Sequence, residues 1–128
     1  EKIRATAQRT RVRDLYDLYL FAHQPFDRNL VRRIAVIKCW ETRDAFDPAA
    51  MLDGLPDATY DWADLKRLVR ADRLTSPETI VSDVQQGFSF LRDLAEGEAR
   101  LAQDPYGREQ RMYDLLTETL LDWRAARD

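Results

Sequence analysis

The sequence predicts an all-α fold, a compact bundle of about five to seven helices, and three observations carry that expectation. Glycine and proline are scarce, at four and five in 128 residues. Apolar residues recur along the chain at steps of three and four, the period of one helix face. No stretch alternates apolar and polar residues over six positions, as a half-buried strand would.

The elements follow in order. Residues 1–9 and 12–23 form either two short helices broken near Arg9-Thr10-Arg11 or one kinked helix, and the second part turns Leu15, Leu18, Tyr19 and Ala22 inward. Gln24-Pro25 ends it, because the residue before a proline is pushed out of the helical region. Asp27 caps a helix over 28–43 whose Leu30, Val31, Ile34, Val36, Ile37, Cys39 and Trp40 leave few polar positions, so this is expected to be the most buried helix. Asp47-Pro48 opens a short helix that closes at Asp53-Gly54, and Leu55 to Tyr60 connects. Asp61 caps a helix to about Arg73, with Asp64 in its first turn and Trp62, Leu65, Leu68 and Val69 facing in.

Ser76-Pro77-Glu78 is a strong start signal for a helix carrying Ile80, Val81, Val84, Phe88, Leu91, Leu94 and Ala95. Gly87 sits within it at a cost of about 1 kcal/mol relative to alanine, and admits a close neighbour. Asp104-Pro105-Tyr106-Gly107 breaks the chain before a last helix over about 108–126, which turns Met112, Tyr113, Leu116, Leu120 and Trp123 inward. Ile34, Ile37, Val84, Phe88, Leu116 and Leu120 are the expected core.

Length gives one helical domain over residues 1–128, with no internal repeat. Cys39 is alone, so no intrachain disulfide forms. With no apolar run near the length of a membrane span and no signal-peptide pattern, a cytoplasmic protein without membrane contact is expected. The sequence opens on Glu1 rather than methionine, which reads as part of a longer chain.

The net charge of −3 hides a polarity. Residues 1–13 carry Lys2, Arg4, Arg9, Arg11 and Arg13 against Glu1 alone, a local +4, whereas residues 44–64 carry six aspartates and no lysine or arginine. Such a split argues against a protein coated with nucleic acid and suits a local basic patch aimed at a small anion or one stretch of backbone. The alternative is that the two segments attract each other.

On a continuous helix, Lys2, Thr6, Arg9, Arg13 and Asp17 fall in one row, with Asp14 beside it. Cations next to two carboxylates can hold an anionic ligand or a metal-phosphate. The plainer reading is an Arg13 to Asp17 surface pair at i, i+4, worth about 0.2–0.5 kcal/mol. His23 is the lone histidine, without a Cys or His at metal-ligand spacing, and is read as a helix-end residue satisfying nearby carbonyls. Cys39 is read as a buried, inert thiol, and Trp40, Trp62 and Trp123 as core rather than base-stacking residues. The aspartates of 44–64 lack the ligand rhythm of a calcium loop. No glycine-rich phosphate loop, G-x-S-x-G elbow or H-E-x-x-H is present, so a self-contained enzyme is not expected.

The run Glu1-Lys2-Ile3-Arg4-Ala5, then Gln8-Arg9, and Arg13-Asp14-Leu15-Tyr16-Asp17-Leu18-Tyr19 resembles the C-terminal motifs of the AbiEii/AbiGii-type nucleotidyltransferase toxins. Lys38-Cys39-Trp40, Phe46-Asp47 and Phe88-Ser89-Phe90-Leu91 fit the same family pattern further on. The resemblance implies a two-part enzyme, with an upstream α/β half that carries a Gly-Ser motif and metal-binding carboxylates, followed by this helical half. It implies that Lys2 reaches the triphosphate of a nucleotide, that Asp14 and Asp17 complete the catalytic constellation, and that Arg9 and Arg13 orient them or meet phosphate. Mg2+ and an NTP are implied for the full-length parent, with no metal held by this part alone. The implied partners are a cognate antitoxin, the nucleotide and an acceptor such as RNA. The alternative function is a non-catalytic helical module whose basic first turn docks an acidic partner.

Overall fold

The computed structural model describes residues 1–8 and 10–127, with backbone alone for Gln8 and for 123–127. Among the described residues there are eight α-helices and no strand: α1 (Lys2–Gln8), α2 (Val12–Ala22), α3 (Arg28–Glu41), α4 (Pro48–Gly54), α5 (Trp62–Leu68), α6 (Pro77–Gly87), α7 (Glu96–Ala102) and α8 (Gln110–Arg127). Two 3₁₀ turns, Leu55–Asp57 and Ser89–Arg92, link them. No helix among the described residues is long and apolar enough to cross a membrane.

The helices group into two compact units, one of Glu1–Pro25 with Pro48–Arg92 and one of Phe26–Asp47 with Asp93–Asp128. In the first, α2 is the hub: it packs on α1, α5 and α6. Of its expected inner stripe, Leu15 and Leu18 are buried and Tyr19 and Ala22 half-buried, and Val12 is buried beside them. Gly87 is where α6 meets α2, since a Cβ built there would lie 2.7 Å from the Ala22 Cβ. The expected long helix from Ser76 to Ala95 ends at this glycine, and Ser89–Arg92 continues as a 3₁₀ turn. Phe88, at 1% exposed, and Leu91, fully buried, still share one face, because residues three apart do so in either kind of helical turn.

The second unit packs α3 on α7 and α8. Asp27 caps α3 as predicted, accepting from the Leu30 amide at 3.1 Å. Its most deeply placed polar group is Glu98, whose carboxylate accepts from Arg32 Nε at 2.7 Å, Arg33 Nε at 2.8 Å and the Ala95 amide at 2.8 Å. Burial alone pushes Glu98 up, but Arg33, the Ala95 amide and Arg32 outweigh it and hold the carboxyl below the usual range. Asp104 is buried too, and accepts from Trp40 Nε1 at 2.9 Å and the Glu109 amide at 2.8 Å. Arg43, at φ 59°, lays its guanidinium 4.3 Å from the Trp40 ring centroid. That guanidinium fills the space a side chain at Gly107 would need, and Gly107 itself sits at φ 70°.

Several sequence readings shift. Leu68, expected inside, is 53% exposed because α5 stops at Leu68 rather than near Arg73. Of the expected core, Ile37, Val84, Phe88 and Leu116 are buried, whereas Ile34 and Leu120 are half-buried. Trp40 is a core residue as expected, Trp62 is half-buried, and the Trp123 side chain lies outside the described residues.

Truncating Phe88 to alanine is expected to cost about 3–5 kcal/mol in denaturant unfolding, since its ring also stacks on Phe21 at 6.4 Å. Glu98→Ala is expected to cost a similar amount, about 3–5 kcal/mol, because it strands two arginines that are themselves only 14% and 17% exposed. The pH dependence follows from a folded pKa held below the unfolded one. The Glu98 contribution is complete above the ordinary glutamate range and is lost as pH falls through and below it, so denaturation midpoints of the parent fall in acid more steeply than those of Glu98→Gln.

Candidate functional site

The candidate site is built where α1 and α2 pack, and it starts from the break between them. Thr10 and Arg11 are not helical, and Arg11 is extended at φ −98°, ψ 125°. The expected straight row of Lys2, Thr6, Arg9, Arg13 and Asp17 therefore does not form. Lys2 instead reaches α2 across the helix pair. Its Nζ lies 3.0 Å from Asp14 Oδ1 and 3.0 Å from Asp17 Oδ2. Asp17 and Asp14 together raise the Lys2 pKa, chiefly through these hydrogen bonds, so the ammonium stays charged.

The two aspartates are not equivalent. The Asp14 side chain is 4% exposed, and those of Asp17 and Lys2 are 46% and 49% exposed. Asp14 thus lies on the packed side of α2, not on a solvated face beside a polar row as the sequence reading had it. The reason is the break: once α1 folds against α2, Lys2 arrives as a counter-charge and lets a carboxylate stay buried. Thr6, one turn on from Lys2, buries its hydroxyl without a hydrogen-bond partner among the described residues.

Arg13 is not part of this cluster. Its side chain is 61% exposed and its Nε pairs with Asp64 of α5 at 3.3 Å, so the expected Arg13 to Asp17 pair is replaced by Arg13–Asp64 and Lys2–Asp17. That contact brings together one member each of the basic and acidic segments, as the attraction reading held. Thr10, Arg11, Val12, Arg13, Asp61 and Asp64 line an open hollow of about 330 Å³ there. Arg9 lies outside the described residues.

His23 caps the end of α2 as expected, its backbone N–H donating to the Leu20 carbonyl at 3.2 Å. Its ring has a further contact: Nε2 lies 3.1 Å from Asp83 Oδ2 on α6, a partner 60 residues away that no local pattern announces. Cys39 is buried, as expected of an inert thiol.

As a donor set, Asp14 and Asp17 already share the chain's own ammonium, which occupies the place a cation would take. Among the described residues no group of three His, Cys, Asp or Glu could hold a metal ion. These residues do not fit a resident Mg2+ by themselves. The Lys2 ammonium has three N–H donors, and two of them are directed at the aspartates.

A family model described as nucleotidyl transferase AbiEii toxin, type IV toxin–antitoxin system, matches residues 1–126. No curated protein and no solved structure matches the chain.

The burial difference sets a test. Asp14→Ala is expected to lower stability by about 1–3 kcal/mol, because it removes a buried acceptor and leaves Lys2 one partner short. Asp17→Ala should cost less than about 1 kcal/mol, the worth of an exposed pair. Equal shifts in melting temperature for the two variants would contradict the assignment of Asp14 as the buried member.

Proposed function

We propose, since this chain belongs to the AbiEii nucleotidyltransferase toxin family of toxin–antitoxin systems, that Lys2, Asp14 and Asp17 form its share of a nucleotidyltransferase active site. In this reading Lys2 meets the triphosphate of an NTP and Asp14 fixes Lys2. Asp17 acts on the acceptor side, and the acceptor is RNA. Arg13, on the same helix, and Arg9 contribute positive charge. A cognate antitoxin holds the activity in check in the cytoplasm. The metal-binding α/β half belongs to a segment other than this one, and this chain alone is inactive.

The observation that supports the reading is the double contact of Lys2, with one partner buried and one exposed. Nucleotidyl transfer depends on positioning and on cations that offset charge on the transferred group, with little covalent work for the protein. A lysine serves as a point charge on a flexible stem and must be aimed. Asp14 does the aiming: being buried, it holds one N–H. Asp17 is held by an exposed pair worth about 0–1 kcal/mol, so a phosphate oxygen exchanges with it at little cost. An arrangement with both aspartates buried would lock the ammonium away from a ligand. One with both exposed would leave it unaimed.

Family membership covers the class of activity and, with it, an antitoxin and a nucleotide as partners. The roles of individual residues rest on the geometry. In the intact protein, Lys2→Ala is expected to lower nucleotide transfer to RNA by roughly a hundred- to a thousandfold, the usual effect of losing a group that stabilises transition-state charge. Asp17→Ala should impair transfer with little change in melting temperature. Asp57→Ala, an exposed acid in the acidic segment, should leave both transfer and growth inhibition unchanged. Full toxicity in Lys2→Ala would remove the assignment. Transfer of labelled nucleotide by residues 1–128 alone, above a no-protein control, would remove the two-part reading.

A further inference from the structure

The exposed strip of α2 that leads away from Asp17 carries chemistry the transfer step does not use. At about 100° per residue, Tyr16, Leu20 and His23 fall along one strip of the helix, with Arg13 and Asp17 beside it. Exposure agrees: Leu20 is 45% exposed, His23 is exposed and Tyr16 is half-buried. The Tyr16 ring stacks on Tyr19, with centroids 5.7 Å apart and planes 27° apart, and Tyr19 meets the His23 ring edge-on at 4.8 Å. The Asp83 contact holds the imidazole in place. Beyond it, Ala22, His23, Asp83, Gln86 and Gly87 surround an open hollow of about 280 Å³.

We propose that this strip and hollow form a nucleobase subsite, in which a base lies against Tyr16, Leu20 and His23 and turns its polar edge toward Asp83 and Gln86. The ligand class follows from the combination. Rings and an exposed leucine in line make a surface for a flat, weakly polar group, and such surfaces accept any base because every base has a π-face. A carboxylate and a side-chain amide at the far end supply the acceptors and donors that a base edge requires and a purely apolar ligand does not. Asp17 and His23 are six residues apart, about 9 Å along the helix axis and about a third of a turn apart around it, so a ligand that reaches both crosses the surface of α2 obliquely.

This inference rests on the proposed role of Lys2 and Asp17 for its orientation. The base belongs either to the donor NTP or to the single-stranded end of the acceptor, and the two sources give different results in one experiment. Binding of the four NTPs, of inorganic tripolyphosphate and of a short single-stranded RNA is measured by calorimetry on the intact protein. The variants are Tyr16→Leu, Tyr16→Phe, His23→Ala and Leu20→Asp. The last places a charge on the strip at an exposed position where little packing is lost, and melting temperatures accompany every variant.

Loss of one base–aromatic stack weakens binding by roughly fivefold to a hundredfold. That loss for NTPs, with tripolyphosphate unchanged and with Tyr16→Phe like the parent, supports the donor base. The same loss for RNA alone supports the acceptor base. Unchanged affinity for both in the folded Leu20→Asp and His23→Ala variants overturns the subsite, as does an equal loss for tripolyphosphate, which would mean that the strip only supports Lys2. Lys2→Ala serves as the separate arm. If it leaves tripolyphosphate binding intact, the transfer reading fails at Lys2, and the base subsite is still judged by the Leu20→Asp and His23→Ala results.

Discussion

A buried carboxylate on α2 constrains everything around it. Asp14 is 2% exposed, and an ionised acid at that depth needs a cation and hydrogen bonds to repay its lost hydration. Lys2 supplies both, and it can do so only because the chain leaves helical geometry at Thr10 and Arg11, bringing α1 against α2. The same fold-back buries Ile3 and Ala5. Apolar burial and the ion pair therefore enforce one geometry, and the candidate cluster is also a packing feature of its unit.

The second unit solves a similar problem in a different way. Glu98 is fully buried, and its oxygens accept from two guanidinium groups and an amide. At that depth it presents no surface to a ligand. The Lys2 cluster, by contrast, keeps a half-exposed ammonium and a half-exposed carboxylate. This difference in exposure separates a structural charge cluster from a candidate functional one. Both contain acids beside cations, and composition alone would rank the Glu98 cluster, with two arginines, as the better anion site. Buried and fully paired, it serves to hold α7 on α3.

Toxin-type nucleotidyl transfer asks for few protein atoms at the reacting phosphate and for tight control of their placement. A helix such as α2, packed on three neighbours, is a rigid rail for that purpose. Asp14 and Asp17 lie one turn apart on it, and Tyr16, Leu20 and His23 extend the same rail. Close packing at Gly87 and Ala22 fixes the far end of the rail against α6. Motion at either end of α2 would displace the aspartates that hold Lys2 or the His23–Asp83 contact.

The sequence by itself determined the helical class, the capped starts at Asp27, Asp61 and Ser76, and the inward placement of Leu15 and Leu18, because these depend on periodicity and on hydrogen bonds within a few residues. It also marked Lys2, Asp14 and Asp17 as members of one motif. The tertiary structure decided which of them touch. The choice of Lys2 over Arg13 as the partner of Asp17, the burial of Asp14, and the pairings of Arg13 with Asp64 and His23 with Asp83 all depend on how helices distant in sequence are brought together. Local rules carry no information about these outcomes, since each is set by the space and charge that a neighbouring helix presents.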